Sequence, residues 1–348
     1  MRARSLLVAV GCTLSLALPL GAQTAPSAAT AGGYHVIHQI AVGGEGGWDY
    51  LTFDTAGKRL FLSRGTHVMV VDPATDKVVG DIPNTGGVHG IALAYDLHKG
   101  YTSNGRDTTV TVFDPQTLAV KKVVHVTGAN PDAILYDPAT NRVFTFNGRG
   151  QSTTAIDAVG DTVVGTLALG GKPETAVADG AGNVFVNIED RSQIVEFDGR
   201  TMTIKHTYPL EGCTEPSGLA TDLAHHLLFI GCDNAKMGIM DATNGHMIAT
   251  PASGEGTDAD AFDPGTSYAF SSNGSGTLTV VRQTGPSTFV SENVPTERGA
   301  RTMTLDPQTH RIYTVTAQFN PMPAQAPGQP RQRPTMVPGS FVVLVLGQ

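Results

Sequence analysis

Short apolar runs alternate with turn residues along most of the chain, and helical periodicity is nowhere sustained. The stretch NPDAILYDPATNRVF, residues 130–144, is representative. A polar opening leads into an apolar run, an Asp-Pro turn and a second apolar run, which reads as strand, tight turn, strand. Asp accepts nearby backbone N–H groups and Pro presets φ, so Asp-Pro marks the turn. Near-copies recur, each with an Asp closing its first strand: Asp54, Asp96, Asp137, Asp179, Asp222, Asp263 and Asp306, spaced 41 to 43 residues apart. The third copy, residues 132–169, divides into DAILYD, RVFTFN, STTAID and TVVGTLAL, four short strands separated by turns. A repeat of about 40–50 residues carrying four strands is the length of a β-propeller blade.

The repeat predicts an all-β chain: a seven-bladed β-propeller of four-stranded antiparallel blades. The seventh unit holds only RTMTLD, RIYTVTA and SFVVLVLG, three strands in place of four. The missing strand is present at the other end, in YHVIHQIAV (Tyr34–Val42). An N-terminal strand completing the last blade would close the ring and pair both exposed edges. Residues 33–348 are therefore expected to form one propeller domain, with a Pro-rich insertion at 319–339. Ahead of it, Arg2 and Arg4, the apolar run Ser5–Leu20 and the small residues Gly21–Ala25 have the three-part form of a signal peptide, expected over 1–25 with a short linker at 26–32. The expectation is a periplasmic or secreted monomer. No membrane span is expected, because a spanning helix needs about 20 mostly apolar residues and the leader run is shorter.

YTSN (Tyr101–Asn104), FTFN (Phe144–Asn147) and FSSN (Phe270–Asn273) each end a second strand. They resemble the signature of the YVTN, or YncE-like, seven-bladed β-propeller family, and the similarity covers essentially all of the expected mature chain. The resemblance implies the fold and no single reaction. Function must therefore be argued from the site.

Composition narrows the partners. Lys plus Arg number 23 against 31 Asp plus Glu, a net charge of −8, and no basic tract offsets it, so nucleic acid is not an expected partner. Gly (41) and Pro (21) are abundant, as many turns require, and a hydrophobic fraction of 40% is ample for a core.

In a propeller the first strand of each blade lines the central channel. The loop leading into it opens on the same face as the loop joining strands two and three. Five positions before the strand-closing Asp stand Asp49, Ile91, Asp132, Glu174, Ser217, Asp258 and Arg301, with His89 two residues ahead of Ile91 in a loop read as slightly longer. The second loops add Arg64, Arg106, Arg149, Glu189, Asp233, Asn234 and Asn273. Carboxylates and His can move protons and Arg can hold a planar anion, so this mouth is the expected binding site. Trp48, Asp49, Arg106, Asp132, Arg149, Glu189, Glu215, Asp258 and Asn273 are its expected ligand-binding residues.

Individual features leave alternatives. The Asn-Gly turns of SNGRD and FNGRG would aim Arg106 and Arg149 alike, toward a bound carboxylate or phosphate or simply toward Asp132, Glu189 or Glu174. Trp48, the only Trp, would stack on a sugar or aromatic ligand or wedge between blades; its solitude argues against a quinoprotein propeller with repeated Trp motifs. Cys213 and Cys232 open on the same face of blade five, where an oxidising compartment favours a disulfide, with a two-Cys metal site as the alternative. The Pro-rich insertion is a lid, with Arg331 or Arg333 reaching the ligand, or a flap.

Metal and nucleophile motifs of the His-Glu-x-x-His, Cys-x-x-Cys-His and Gly-x-Ser-x-Gly kinds do not occur. No cofactor is expected, and no metal site is assigned; a cation among Asp49, Asp132, Glu174 or Asp258 is the one open case. The first functional reading is an exported propeller that binds a small anionic molecule or sugar acid, or a protein partner, without chemistry of its own. The alternative is a lyase or a lactone/ester hydrolase acting in the same mouth. There His89 or Glu174 would be general base, and Arg106, Arg149 and Arg301 would hold the carboxylate or developing oxyanion. Geometry separates the two. A shared cavity joining His89, Glu174 and an Arg favours the enzyme, whereas pairing of each group with its nearest opposite charge favours the binder.

Overall fold

The computed structural model describes residues 33–321 and 335–348. Within them lie seven four-stranded antiparallel sheets, six of them hydrogen-bonded in chain order, and the innermost strand of every sheet packs on the innermost strands of both neighbours around a full circle. This is the predicted seven-bladed propeller. The expected signal peptide and linker, and most of the Pro-rich insertion with Arg331 and Arg333, fall outside the described residues.

Blade one runs Leu51–Asp54, Arg59–Ser63, Val68–Asp72 and Lys77–Ile82. Blade seven takes Met303–Asp306, Arg311–Thr316 and Val342–Gly347 from the C-terminal part of the chain, and His35–Ala41 pairs antiparallel with Val342–Gly347 as its outermost strand. The ring therefore closes as the strand count predicted. Tyr34 fixes the start of that closing strand, its hydroxyl donating to the His310 carbonyl at 2.9 Å.

The core lies between blades. Second and third strands are buried on both faces, whereas fourth strands such as Thr162–Ala168 expose alternate residues. Aromatic pairs bridge neighbouring blades: Phe53 on Tyr313 at 5.5 Å, Phe61 on Phe113 at 5.8 Å, and Phe229 on Phe262 at 5.3 Å. Each buried aromatic contributes roughly 1.5–3 kcal/mol.

Two repeated devices shape the mouth. Five of the repeat Asp residues, Asp54, Asp137, Asp222, Asp263 and Asp306, are buried and fold back on their own turns; Asp54 Oδ1, for example, accepts from the Ala56 and Gly57 amides at 3.2 and 2.8 Å. At the other end, the residue that closes the second strand, or in blade one follows it, is buried in every blade: Arg64, Asn104, Asn147, Ile188, Cys232, Asn273 and Thr316. Asn147 accepts from Thr145 at 3.0 Å and donates to Ser152 and Thr154 at 3.2 and 3.1 Å. Cys232 occupies this place in blade five and is disulfide-bonded to Cys213, with a Cα–Cα distance of 5.3 Å. The buried Asn of blade three thus pegs the end of the second strand to the third, and blade five carries a disulfide to the loop leading into it at the same place.

Register corrects one sequence alignment. In blade two Ala94 pairs with Lys99, as Asp137 pairs with Arg142 in blade three, so Ala94 closes the strand. Asp96 lies beyond it in the 3-10 turn Tyr95–Leu97, where it accepts from the Tyr136 hydroxyl at 2.7 Å. His89 consequently stands level with Asp132, and Ile91 lies deeper, level with Ile134.

Candidate functional site

Aligned by register, one side chain from each blade reaches the same level of the channel: Asp49, His89, Asp132, Glu174, Ser217, Asp258 and Arg301. A local irregularity places most of them. The ladder between first and second strands breaks register between Val88 and Ile91, Pro131 and Ile134, Pro173 and Ala176, Pro216 and Leu219, and Thr257 and Ala259. Such bulges release a side chain from the pleat and re-aim it. In five blades the ring residue falls within the break.

Adjacent members pair around the ring. His89 Nδ1 lies 2.6 Å from Asp49 Oδ2 and 3.4 Å from Asp132 Oδ1. Lys172 Nζ lies 2.6 Å from Glu174 Oε1 and also bonds Glu189. Arg301 meets Asp258 Oδ1 at 3.3 Å, and the Ser217 hydroxyl reaches the same oxygen at 3.5 Å. Beneath them, Tyr50 extends from blade one to the opposite side, where its hydroxyl is 3.4 Å from Thr175 Oγ1 and its ring packs on the core between blades three and four. The equivalent positions elsewhere are Gly90, Ala133, Thr175, Gly218, Ala259 and Thr302, all small. One phenol therefore forms a floor across the channel.

The electrostatics are those of crowded carboxylates. Burial first, and then the charge of Asp49, push Asp132 up to about 6 against the opposing pull of His89 and Lys172. Burial also raises Asp258 to about 6, with Arg301 pulling the other way and Asp49 and Asp132 adding repulsion. Glu174 is held well above the usual carboxylate range by burial and by Asp132, which together outweigh Lys172. For His89, burial is the largest effect and favours the neutral ring, yet the Asp49 hydrogen bond and the charges of Asp132, Asp49 and Glu174 combine to raise it. Perturbed groups converging on one concavity mark a functional-site candidate.

The other predicted residues are distributed unevenly. Arg106 and Arg149 are exposed on the mouth face, and neither forms an ion pair with a described residue. Glu189 joins the ring through Lys172. Glu215 is exposed on the rim, its amide donating to Ser192 Oγ at 3.1 Å. Asn273 does not face the cup: it is fully buried and its amide is engaged by Thr257, Thr277 and Thr279. Arg64 is likewise not at the mouth. It is buried over the Phe341 ring, 3.6 Å from the centroid, and donates to the Gly43, Glu45 and Gly46 carbonyls. Trp48 packs against Phe341 and Phe319 at 5.2 and 5.9 Å, the wedge arrangement.

Tyr50 and Lys172 were not expected. Tyr50 was legible as the one bulky residue at a position otherwise held by Gly, Ala and Thr. Lys172 lies two residues before Glu174, outside the single position on which the blades were compared. By the geometric criterion, the pairs His89 with Asp49, Glu174 with Lys172, and Arg301 with Asp258 favour binding over a ready general base.

No family model matches the chain, and no curated protein matches it. Among solved structures, it is similar to a chain of Kuenenia stuttgartiensis hydrazine synthase, with a TM-score of 0.69 and 15% identity over 78% of this chain and 93% of that one. It is also similar to a chain in the crystal structure of a mitotic checkpoint complex, with a TM-score of 0.71 and 12% identity over 90% of this chain and 96% of that one. At these identities the likeness shows the seven-bladed propeller fold, a fold consistent with ligand or partner binding.

Proposed function

We propose that this chain is an exported, YncE-like propeller that binds a small polar molecule in the cup formed by Asp49, His89, Asp132, Glu174, Asp258 and Arg301. The observation that carries the reading is the convergence of one polar side chain per blade at a single level above the Tyr50 floor. Export is supported by the leader-like pattern at 1–25 and by the Cys213–Cys232 disulfide, which fits an oxidising compartment.

The ring constrains the ligand. Its carboxylates outnumber its cations, so the inner wall favours a hydroxyl, ammonium or metal-bearing group. Arg301 and the exposed Arg106 and Arg149 favour an acidic group on the outer side. A hydroxy or amino acid of sugar size carries both. Native mass spectrometry of protein purified from the exporting host, followed by calorimetry with sugar acids, amino acids and neutral sugars, tests the reading. Asp132→Asn and Arg301→Gln are expected to abolish binding while leaving the fold intact; wild-type affinity in both variants would overturn it.

A second reading, a lyase or lactone/ester hydrolase, draws on Glu174, whose raised pKa lets it hold a proton at neutral pH. Its expected signature is turnover of a lactone or uronate panel that disappears in Glu174→Gln.

A further inference from the structure

Three consecutive blades place Asp49, His89 and Asp132 so that one donor atom of each lies within 4.8 Å of the others. Ligands held about 2.0–2.2 Å from one ion lie about 3.0–3.5 Å from each other. Of the observed separations from His89 Nδ1, that to Asp132, 3.4 Å, lies within this range, and that to Asp49, 2.6 Å, is shorter, as for a direct hydrogen bond. Small side-chain rotations would make the three donors a facial set.

We propose that Asp49, His89 and Asp132 bind a divalent transition-metal ion at the channel mouth. The inference rests on the reading of the mouth as a binding site and names what the ligand would meet there. Two observations besides proximity support it. The Asp132 side chain, 16% exposed, has the 3.4 Å approach of His89 Nδ1 as its one polar contact with a described side chain, while the Ser103 hydroxyl donates to the Asp132 backbone carbonyl. His89 is also held by its far edge: a Cβ on Gly105 would stand 2.6 Å from Nε2, so glycine there lets the backbone close over that nitrogen while Nδ1 faces the carboxylates.

The donor set selects the metal. An imidazole with two carboxylates suits zinc, manganese, iron(II), cobalt or nickel, whereas calcium and magnesium take oxygen ligands. Coordination by Nδ1 requires that ring nitrogen to be unprotonated, with the proton on Nε2. Three protein ligands leave coordination positions open above the Tyr50 floor. The ion would cancel the charge of Asp49 and Asp132 and convert the inner wall into a seat for an anionic oxygen. A carboxylate or α-hydroxy acid could then bridge the metal and Arg301.

The test uses the full mature chain, tag-free and stripped with a chelator, titrated with cobalt(II) followed by absorption and with zinc(II) followed by calorimetry. One ion per chain is expected, with visible cobalt bands. Affinity is expected to fall at least about tenfold in both His89→Gln and Asp132→Asn and to be unchanged in Asp76→Asn, an exposed carboxylate on the outer turn of blade one. Near-UV circular dichroism checks that each variant retains its packing. Failure of the wild type to bind either metal, or wild-type affinity in His89→Gln, overturns the metal site. If the metal titrations fail while organic-ligand binding is still lost in Arg301→Gln, the cup stands without a metal. If ring variants alter neither metal nor organic-ligand binding, both readings fall.

Discussion

Asp260 stands where the other blades carry Leu51, Ile91, Ile134, Ala176, Leu219 and Met303, and it should cost the fold stability at neutral pH. Its carboxyl oxygens are inaccessible and without a hydrogen-bond partner among the described residues, although part of the residue remains exposed. The space is made by two glycines, since a Cβ on Gly218 or Gly231 would come within 2.8 or 2.9 Å of the carboxyl group. Burial raises the group from its ordinary 3.8 to about 7. That rise corresponds to about 4 kcal/mol at one pKa unit per 1.36 kcal/mol. Below the unfolded value both states are protonated and nothing is lost. As pH rises from about 4 to 7 the unfolded chain releases its proton while the folded chain retains it, so stability falls; above 7 the loss is complete. Asp260→Leu should therefore match the wild type near pH 4 and exceed it by about 2–4 kcal/mol at pH 7, with Asp260→Asn intermediate. Urea unfolding at pH 4, 5.5 and 7 measures this. A difference between wild type and Asp260→Leu that does not change with pH would refute the reasoning.

Asn147→Ala should lower unfolding free energy by about 1–3 kcal/mol through the stranded Thr145, Ser152 and Thr154 hydroxyls and leave mouth binding unchanged, as urea titration and calorimetry would show. Replacing Cys213 and Cys232 together by Ser should cost about 2–4 kcal/mol, seen as an earlier denaturation midpoint that reductant no longer shifts. Removing residues 1–42 should leave Val342–Gly347 as an open edge, so light scattering of the truncated chain should report association where the intact chain remains monodisperse.

The fold was legible because its information is redundant. A two-residue misalignment in blade two left the repeat length almost unaltered, and the three-strand shortfall at one end matched the single spare strand at the other. Local chemistry was less redundant. Counting back from Asp96 put Ile91 at the mouth, because an Asp two residues beyond the strand resembles one that closes it. Only the pairing of Ala94 with Lys99 shows which position is the end.

The same limit explains Arg64 and Asn273. Both were counted as mouth residues because they follow the second strand, yet that strand ends at a buried peg, and the first exposed position comes two residues later, as Arg106 and Arg149 demonstrate. A polar residue at a loop boundary serves the backbone or the solvent according to a shift of two residues, which composition does not encode. The bulges in the first strands decide the matter for the ring itself. By turning His89, Asp132, Glu174, Ser217 and Asp258 away from the pleat, they let the inter-blade faces remain apolar while the channel acquires charge. Asp260 is the instructive exception: two residues deeper than Asp258 and beyond the bulge, it faces the blade interface instead of the cup, and the same side chain that serves binding at one level becomes a burden at the next.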